Sequence, residues 1–214
     1  LDPGHVPDGA MGYQADVTDE AQMQAFFDAA EAFLGGVDVV CANAGIGGPA
    51  SPIAEMDFAA WRACVAANLD GAFLTCRWAA GRMAAQNGGA IILMSSTSGQ
   101  WGVPTRSPYV TAKWGILGLM KTLAMEPGPH GVRVNAICPG AVEGDRMERV
   151  VAMEAAARGV PEDSVRTLYA DGNSLRTWVT ADDLADMILF LTSPQGAKIS
   201  GQAIAVDGNT ERMT

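Results

Sequence analysis

Tyr109 and Lys113 lie four residues apart, and Ser96 precedes the tyrosine by thirteen. In a helix of ~3.6 residues per turn, side chains at i and i+4 share one face. An unperturbed tyrosine, with a pKa near 10, is a poor acid or base at neutral pH. A lysine on the same face lowers the cost of the phenolate and keeps a proton route open. A serine hydroxyl at a strand end can give a second hydrogen bond to the same substrate oxygen. The trio therefore suits proton transfer at an alcohol or carbonyl oxygen. The Tyr-x-x-x-Lys spacing alone also fits an aromatic ring packed beside a surface lysine.

Three apolar runs are placed to carry these groups. Residues 89–94 are continuously apolar and read as a buried parallel strand that delivers Ser95 and Ser96 at its carboxyl end. Residues 37–42 form a second strand, ending in Asn43, Ala44 and Gly45. Residues 132–138 form a third, ending in Pro139 and Gly140. Ligands of open α/β sheets bind outside the carboxyl ends of the strands. Glycine and asparagine are also ordinary turn residues, so each turn by itself has a purely structural reading.

Helical segments alternate with these strands. Thr18 is expected to cap a helix over 19–33 that stops at Gly35 and Gly36. A helix begins near Asp57, and a long one spans about 61–86. Another covers 109–125 and is broken by Pro127, Gly128 and Pro129. Residues 141–179 are polar, helix-prone and irregular. Thr180 caps a last helix reaching Leu191, and 203–206 is the last strand. Repeated strand–helix crossovers imply an α/β fold with a doubly wound parallel sheet. No linker divides the chain, so residues 1–214 read as a single domain.

Taken in order, Asn43-Ala44-Gly45, Asn68, Ser96, Tyr109, Lys113 and 135–140 (Asn-Ala-Ile-Cys-Pro-Gly) resemble the short-chain dehydrogenase/reductase family. Ser200-Gly201-Gln202 and Val206-Asp207-Gly208 look like the flanks of that family's last strand. The resemblance runs from about Tyr13 to Asn209. It implies a Rossmann-like domain and an NAD(P)-dependent oxidoreductase that interconverts a secondary alcohol and a ketone. Tyr109 would be the general acid/base and Ser96 would polarise the substrate oxygen. Lys113 would support the phenolate and bind the nicotinamide ribose, with Asn68 in a water-linked proton relay. As a bare residue, Asn68 reads equally well as a helix-surface asparagine.

The resemblance also assigns cofactor contacts. Asn43, Ala44 and Gly45 would line the ribose, and Asp16 with Val17 would meet the adenine. Asp16 has a turn or helix-cap role as its plain alternative. Pro139 and Gly140 would let the backbone approach the nicotinamide, and Val142 would pair with its carboxamide. Two departures stand out. Glu143-Gly144-Asp145 follows where the family often has a threonine or serine near the pyrophosphate. The family's opening strand, TGxxxGxG turn and helix have no counterpart, and the first matching element, 12–17, resembles its third strand. The first strand–helix–strand unit is therefore expected to be missing from this chain, as in a fragment. A chain with nothing before Leu1 would be expected to bind the dinucleotide poorly. The residues that choose between NAD and NADP would follow the second strand, so the coenzyme is left open.

The segment 141–179 is expected to form a lid over the substrate. Arg146 and Met147 within it, with Trp101 and Ser96, are the candidate substrate contacts, and Arg106 could face the same pocket. An arginine there suits an anionic substrate group; the arginines could equally lie on a solvated face or an oligomer contact. A net charge of −10 argues against nucleic acid and anionic membrane surfaces. No apolar run approaches ~18 residues. Cys41, Cys64, Cys76 and Cys138 show no metal or redox spacing and read as reduced core residues of a cytoplasmic protein. No metal is expected. The apolar positions of the 109–125 helix and the last strand suggest a homo-oligomer, a tetramer by the resemblance. A non-catalytic binding or assembly protein retaining the fold is the alternative function, and epimerase or lyase chemistry is compatible with the same fold.

Overall fold

A computed structural model describes residues 6–212. Four parallel strands, β1 (Val39–Ala42), β2 (Gly89–Met94), β3 (Val132–Pro139) and β4 (Ala203–Val206), lie in sequential order across one sheet. The helices are α1 (Glu20–Leu34), α2 (Phe58–Val65), α3 (Gly71–Ala85), α4 (Ser107–Met125), α5 (Asp145–Arg158), α6 (Glu162–Asp171) and α7 (Ala181–Thr192). This is the α/β arrangement expected from the alternation.

The apolar run of β2 is buried on both faces because side chains alternate along a strand. Ile91 and Leu93 join Val134 and Ala136 of β3 under α3 and α4, through Met83, Cys76, Ile116 and Met120. Ile92 and Met94 face the other way and meet Leu191, Leu184, Met187 and Ile188 of α7. α1 packs outside α3, with Phe27 and Trp78 stacked at 4.6 Å between ring centres. Asn135 is buried inside β3, where its amide donates to Ile199 O at 2.9 Å and accepts from Gln202 N–H at 3.1 Å. That polar residue holds the approach to β4 in register.

Several expectations are corrected. Residues 12–17 form no strand; among the described residues none pairs with them. Their polar groups are used locally, Asp16 N–H bonding Gln22 Oε1 and the Asp16 carboxylate accepting from Thr18. Thr18 is thereby occupied, and Asp19 caps α1, accepting from the N–H groups of Ala21 and Gln22. Cys41 is exposed rather than buried. It lies on the sheet face that α7 covers, and α7 packs on β2–β4 but not on the β1 edge.

The long helix expected over 61–86 is two α-helices joined by a π-helical turn at Ala66–Asp70. The 141–179 segment is more regular than expected. α5 and α6 pair around Val151, Ala155 and Val165, with Tyr169 and Trp178 against them. A parallel bridge between Val142 and Val179 closes the base of this pair.

Candidate active site

The carboxyl end of β2 and the first turns of α4 are locked together. Lys113 is buried, and its Nζ donates to Met94 O at 2.8 Å. In return Ser95 Oγ donates to Lys113 O at 2.9 Å. Gly99 permits the contact, since a Cβ there would lie 2.4 Å from Ser95 Oγ and 2.8 Å from Lys113 O. Ser95 is thus a structural bolt. Ser96 is the half-buried neighbour, whose Oγ accepts from Ser98 N–H at 3.1 Å and starts the turn Thr97–Gly99. Its own proton remains available for a substrate oxygen.

Tyr109 stands one turn before Lys113, with Lys113 Nζ 5.5 Å from its ring centre. Burial, and then the positive charge of Arg146, lower the Lys113 pKa from 10.5 to about 8. Two arginines approach the same ring, Arg106 with Cζ at 5.5 Å and Arg146 at 5.8 Å. Arg106 precedes α4 and also donates to Gly47 O at 2.7 Å. Arg146 comes from the first turn of α5.

Asn68 is fully buried inside the π turn, which removes its helix-surface reading. In a π turn the peptide N–H bonds five residues back rather than four. The Asn68 side-chain amide reaches the carbonyl four residues back, Cys64 O, at 2.8 Å, and Ile46 O at 2.9 Å. Asn68 Oδ1 is buried and accepts no hydrogen bond. Both it and the Lys113 ammonium adjoin Gly45: a Cβ there would lie 2.5 Å from Asn68 Oδ1 and 3.7 Å from Lys113 Nζ. The loop after β1, the π turn and α4 therefore meet at one point.

The other expected residues are placed as follows. Asn43, Ala44 and Gly45 are exposed at the carboxyl end of β1, the edge that also bears Ser96. Pro139 ends β3 at that edge. Gly140 has a structural reason to lack a side chain, since its Cβ would lie 3.0 Å from Asp207 Cα. The Val142 bridge runs through Glu143 N–H and Val179 N–H to Val179 O and Ala141 O, which leaves the peptide groups of Val142 itself outside the bridge. Trp101 is exposed and Met147 half-buried. Asp16 and Val17 lie in the turn before α1. The Asp16 carboxyl is held below its usual range by the Thr18 N–H and hydroxyl, and Val17 packs on Gly71. Cys64 also borders the site. It lies one turn before Asn68 and packs against Gly48, and only the i, i+4 offset signals it.

These residues suit the nicotinamide-ribose end of a dinucleotide: an orphaned buried acceptor, an ammonium beside a phenol, and an exposed glycine-bearing strand end. The family described as enoyl-(acyl carrier protein) reductase, a short-chain dehydrogenase/reductase family, matches residues 5–209. A cis-4-hydroxycyclohexanecarboxylate dehydrogenase from Sinomonas cyclohexanicum is 35% identical over 207 residues, covering 97% of this chain and 78% of that protein. An NAD+-bound xylitol dehydrogenase superposes with a TM-score of 0.87 at 26% identity, over 94% of this chain and 79% of the other. The NADP-bound ElxO superposes at 0.82 and 26% identity, over 92% and 76%. These relatives thus bind either coenzyme. The chain belongs to the short-chain dehydrogenase/reductase family, as an NAD(P)-dependent oxidoreductase acting on CH–OH groups.

Proposed function

We propose that the protein interconverts a small secondary alcohol and a ketone, with Tyr109 as the acid/base. When bound, the nicotinamide supplies hydride to the carbonyl carbon or takes it from the carbinol carbon. In reduction the Tyr109 hydroxyl gives its proton to the carbonyl oxygen; in oxidation its phenolate takes the alcohol proton. The Ser96 hydroxyl donates to the same oxygen and orients it. Lys113, fixed by Met94 O, stabilises the phenolate and reaches the ribose. Asn68 Oδ1 holds a water beside Lys113, through which the proton is replaced. Asn43, Ala44 and Gly45 flank the ribose, and Val142 offers its peptide groups to the carboxamide. Asp16 and Val17 serve the adenine end, and Pro139 with Gly140 carries the backbone along the ring.

The observation that carries this reading is the buried Lys113 ammonium facing Tyr109, with an unpartnered Asn68 oxygen beside it. Both side chains also tie elements together, but the open Asn68 oxygen takes no part in those bonds. The test is nicotinamide absorbance with a panel of secondary alcohols and ketones and each coenzyme. Turnover that survives in Tyr109→Phe would remove the tyrosine from the chemistry.

The same reading makes the α5–α6 unit, within 141–179, the substrate cover of a single domain, with Met147 and Trp101 at its mouth. It also makes the protein a cytoplasmic homo-tetramer with reduced cysteines. Trp114 of α4, Phe73 of α3 and Leu189 and Phe190 of α7 are exposed apolar side chains suited to two such contacts. No helix among the described residues is long and apolar enough to cross a membrane. Light scattering at micromolar concentration tests the assembly, and a monomeric mass would overturn it.

A further inference from the structure

Five arginines place their charge on carboxylates: Arg77 on Glu20, Arg82 on Glu31, Arg158 on Glu154, Arg166 on Glu148 and Glu162, and Arg176 on Glu211. Arg133 closes the end of α7 through the carbonyls of Leu191, Thr192 and Gly196. Arg106, Arg146, Arg62 and Arg149 enter no ion pair among the described residues, although acidic residues outnumber basic ones by 24 to 14. Of these, Arg106 and Arg146 place their guanidiniums at the Tyr109 ring. A Cβ on Gly47 would lie 3.3 Å from Arg106 Nη2 and 3.5 Å from Arg146 Nη2, so the two nitrogens flank one point. A carboxylate accepting a charge-assisted bond of roughly 2.8 Å on each oxygen is wide enough to bridge them.

A third cation stands close by: after burial, the charge of Arg146 is what lowers the Lys113 pKa. Arginine forks match planar carboxylates, and a buried or partly buried cation gains most from such a partner. We propose that Arg106 and Arg146 form an anion subsite, and that the substrate is a hydroxy or oxo acid whose carboxylate lies between them beside the Tyr109 ring. Both ends of that substrate must fit along one tyrosine side chain, so only a few bonds separate the carboxylate from the reacting carbon. What happens to the bound acid rests on the hydride-transfer reading; its binding does not. Because Arg146 belongs to α5 and Arg106 to the base of α4, the anion would also draw the cover down over the site.

Binding and turnover are measured separately. Calorimetry compares wild type with R146Q and R106Q, using β- and γ-hydroxy acids, the methyl ester of each, and inorganic phosphate. The expected result is an acid bound at least tenfold more tightly than its ester, with that preference lost in R146Q. Arg146 is exposed, so R146Q decides the matter even if R106Q, which also loses the Gly47 bond, folds poorly. Acids bound no better than esters, or a preference that survives in R146Q, would overturn the proposal. Phosphate bound through these arginines while every acid fails would also overturn it and assign them to a phosphate. In turnover, kcat/KM should favour the acid over its ester at least tenfold, and R146Q should bring the ratio towards one. Acids that bind through Arg146 but are never turned over would sink the hydride-transfer reading and leave the subsite standing.

Discussion

Gly45 and Asn68 are in such close contact that a Cβ on the glycine would clash with the asparagine oxygen, only 2.5 Å away. The glycine is therefore explained by a close approach, because its φ is not in the left-handed region. Its bare Cα leaves Asn68 Oδ1 open to the space beside Lys113.

Gly45→Ala should push the Asn68 amide away from Lys113 while leaving the sheet intact. Turnover should fall at least tenfold with an unchanged circular dichroism spectrum. Wild-type turnover in this variant would separate Asn68 from the proton route.

Tyr109→Phe removes the proton and keeps the ring over which three cations stand. General acid–base catalysis contributes about 10²–10⁴-fold, and kcat should drop by that order. Coenzyme affinity, followed by fluorescence, should change little. Ser96→Ala should lower kcat less, since the phenol still meets the substrate oxygen.

Lys113 sets the alkaline limit. With a pKa lowered to about 8 by burial and by Arg146, the side chain is charged below that pH and neutral above it. Support for the phenolate is thus present below pH 8 and lost as pH rises through it. In the reduction direction, kcat/KM should fall on the alkaline side with a midpoint near pH 8. Lysine NMR should show one side-chain resonance titrating there that is missing in Lys113→Ala. R146Q should move the midpoint upward, because it removes one like charge.

Asn68→Ala tests the π turn. It deletes the bonds to Ile46 O and Cys64 O. Leaving buried acceptors unsatisfied costs about 1–3 kcal/mol, so the urea midpoint should fall while the slope stays constant. A variant as stable as wild type would show that water replaces the amide.

The spacing of Tyr109 and Lys113, the apolar β2 and β3 runs, and the Gly35 stop of α1 were legible because each is a local pattern. Gly35 adopts φ 72° at the helix end, as a glycine stop should. The Thr180 cap is real and stronger than expected, since Asp183 answers it in a capping box. The cap of α1 falls on Asp19 rather than Thr18: both are good caps, and only the bond from Thr18 to Asp16 decides between them. The π turn was not legible because residues 61–86 carry no proline, and Gly71 just after the turn is tolerated inside a helix as readily as it marks a break.

The sequence by itself determined the strand ends, the shared face of Tyr109 and Lys113 on α4 and the family to which they point. These depend on spacing within single elements, where side-chain direction follows from the helical or strand period. The tertiary structure alone decided which distant groups share the space beside Tyr109. It buried Asn68 against Ile46 O, exposed Cys41 at the β1 edge beyond the reach of α7, and brought Arg146 from α5 over a ring on α4. Those placements arise from packing between elements far apart in the chain, and no periodicity within either partner encodes the contact.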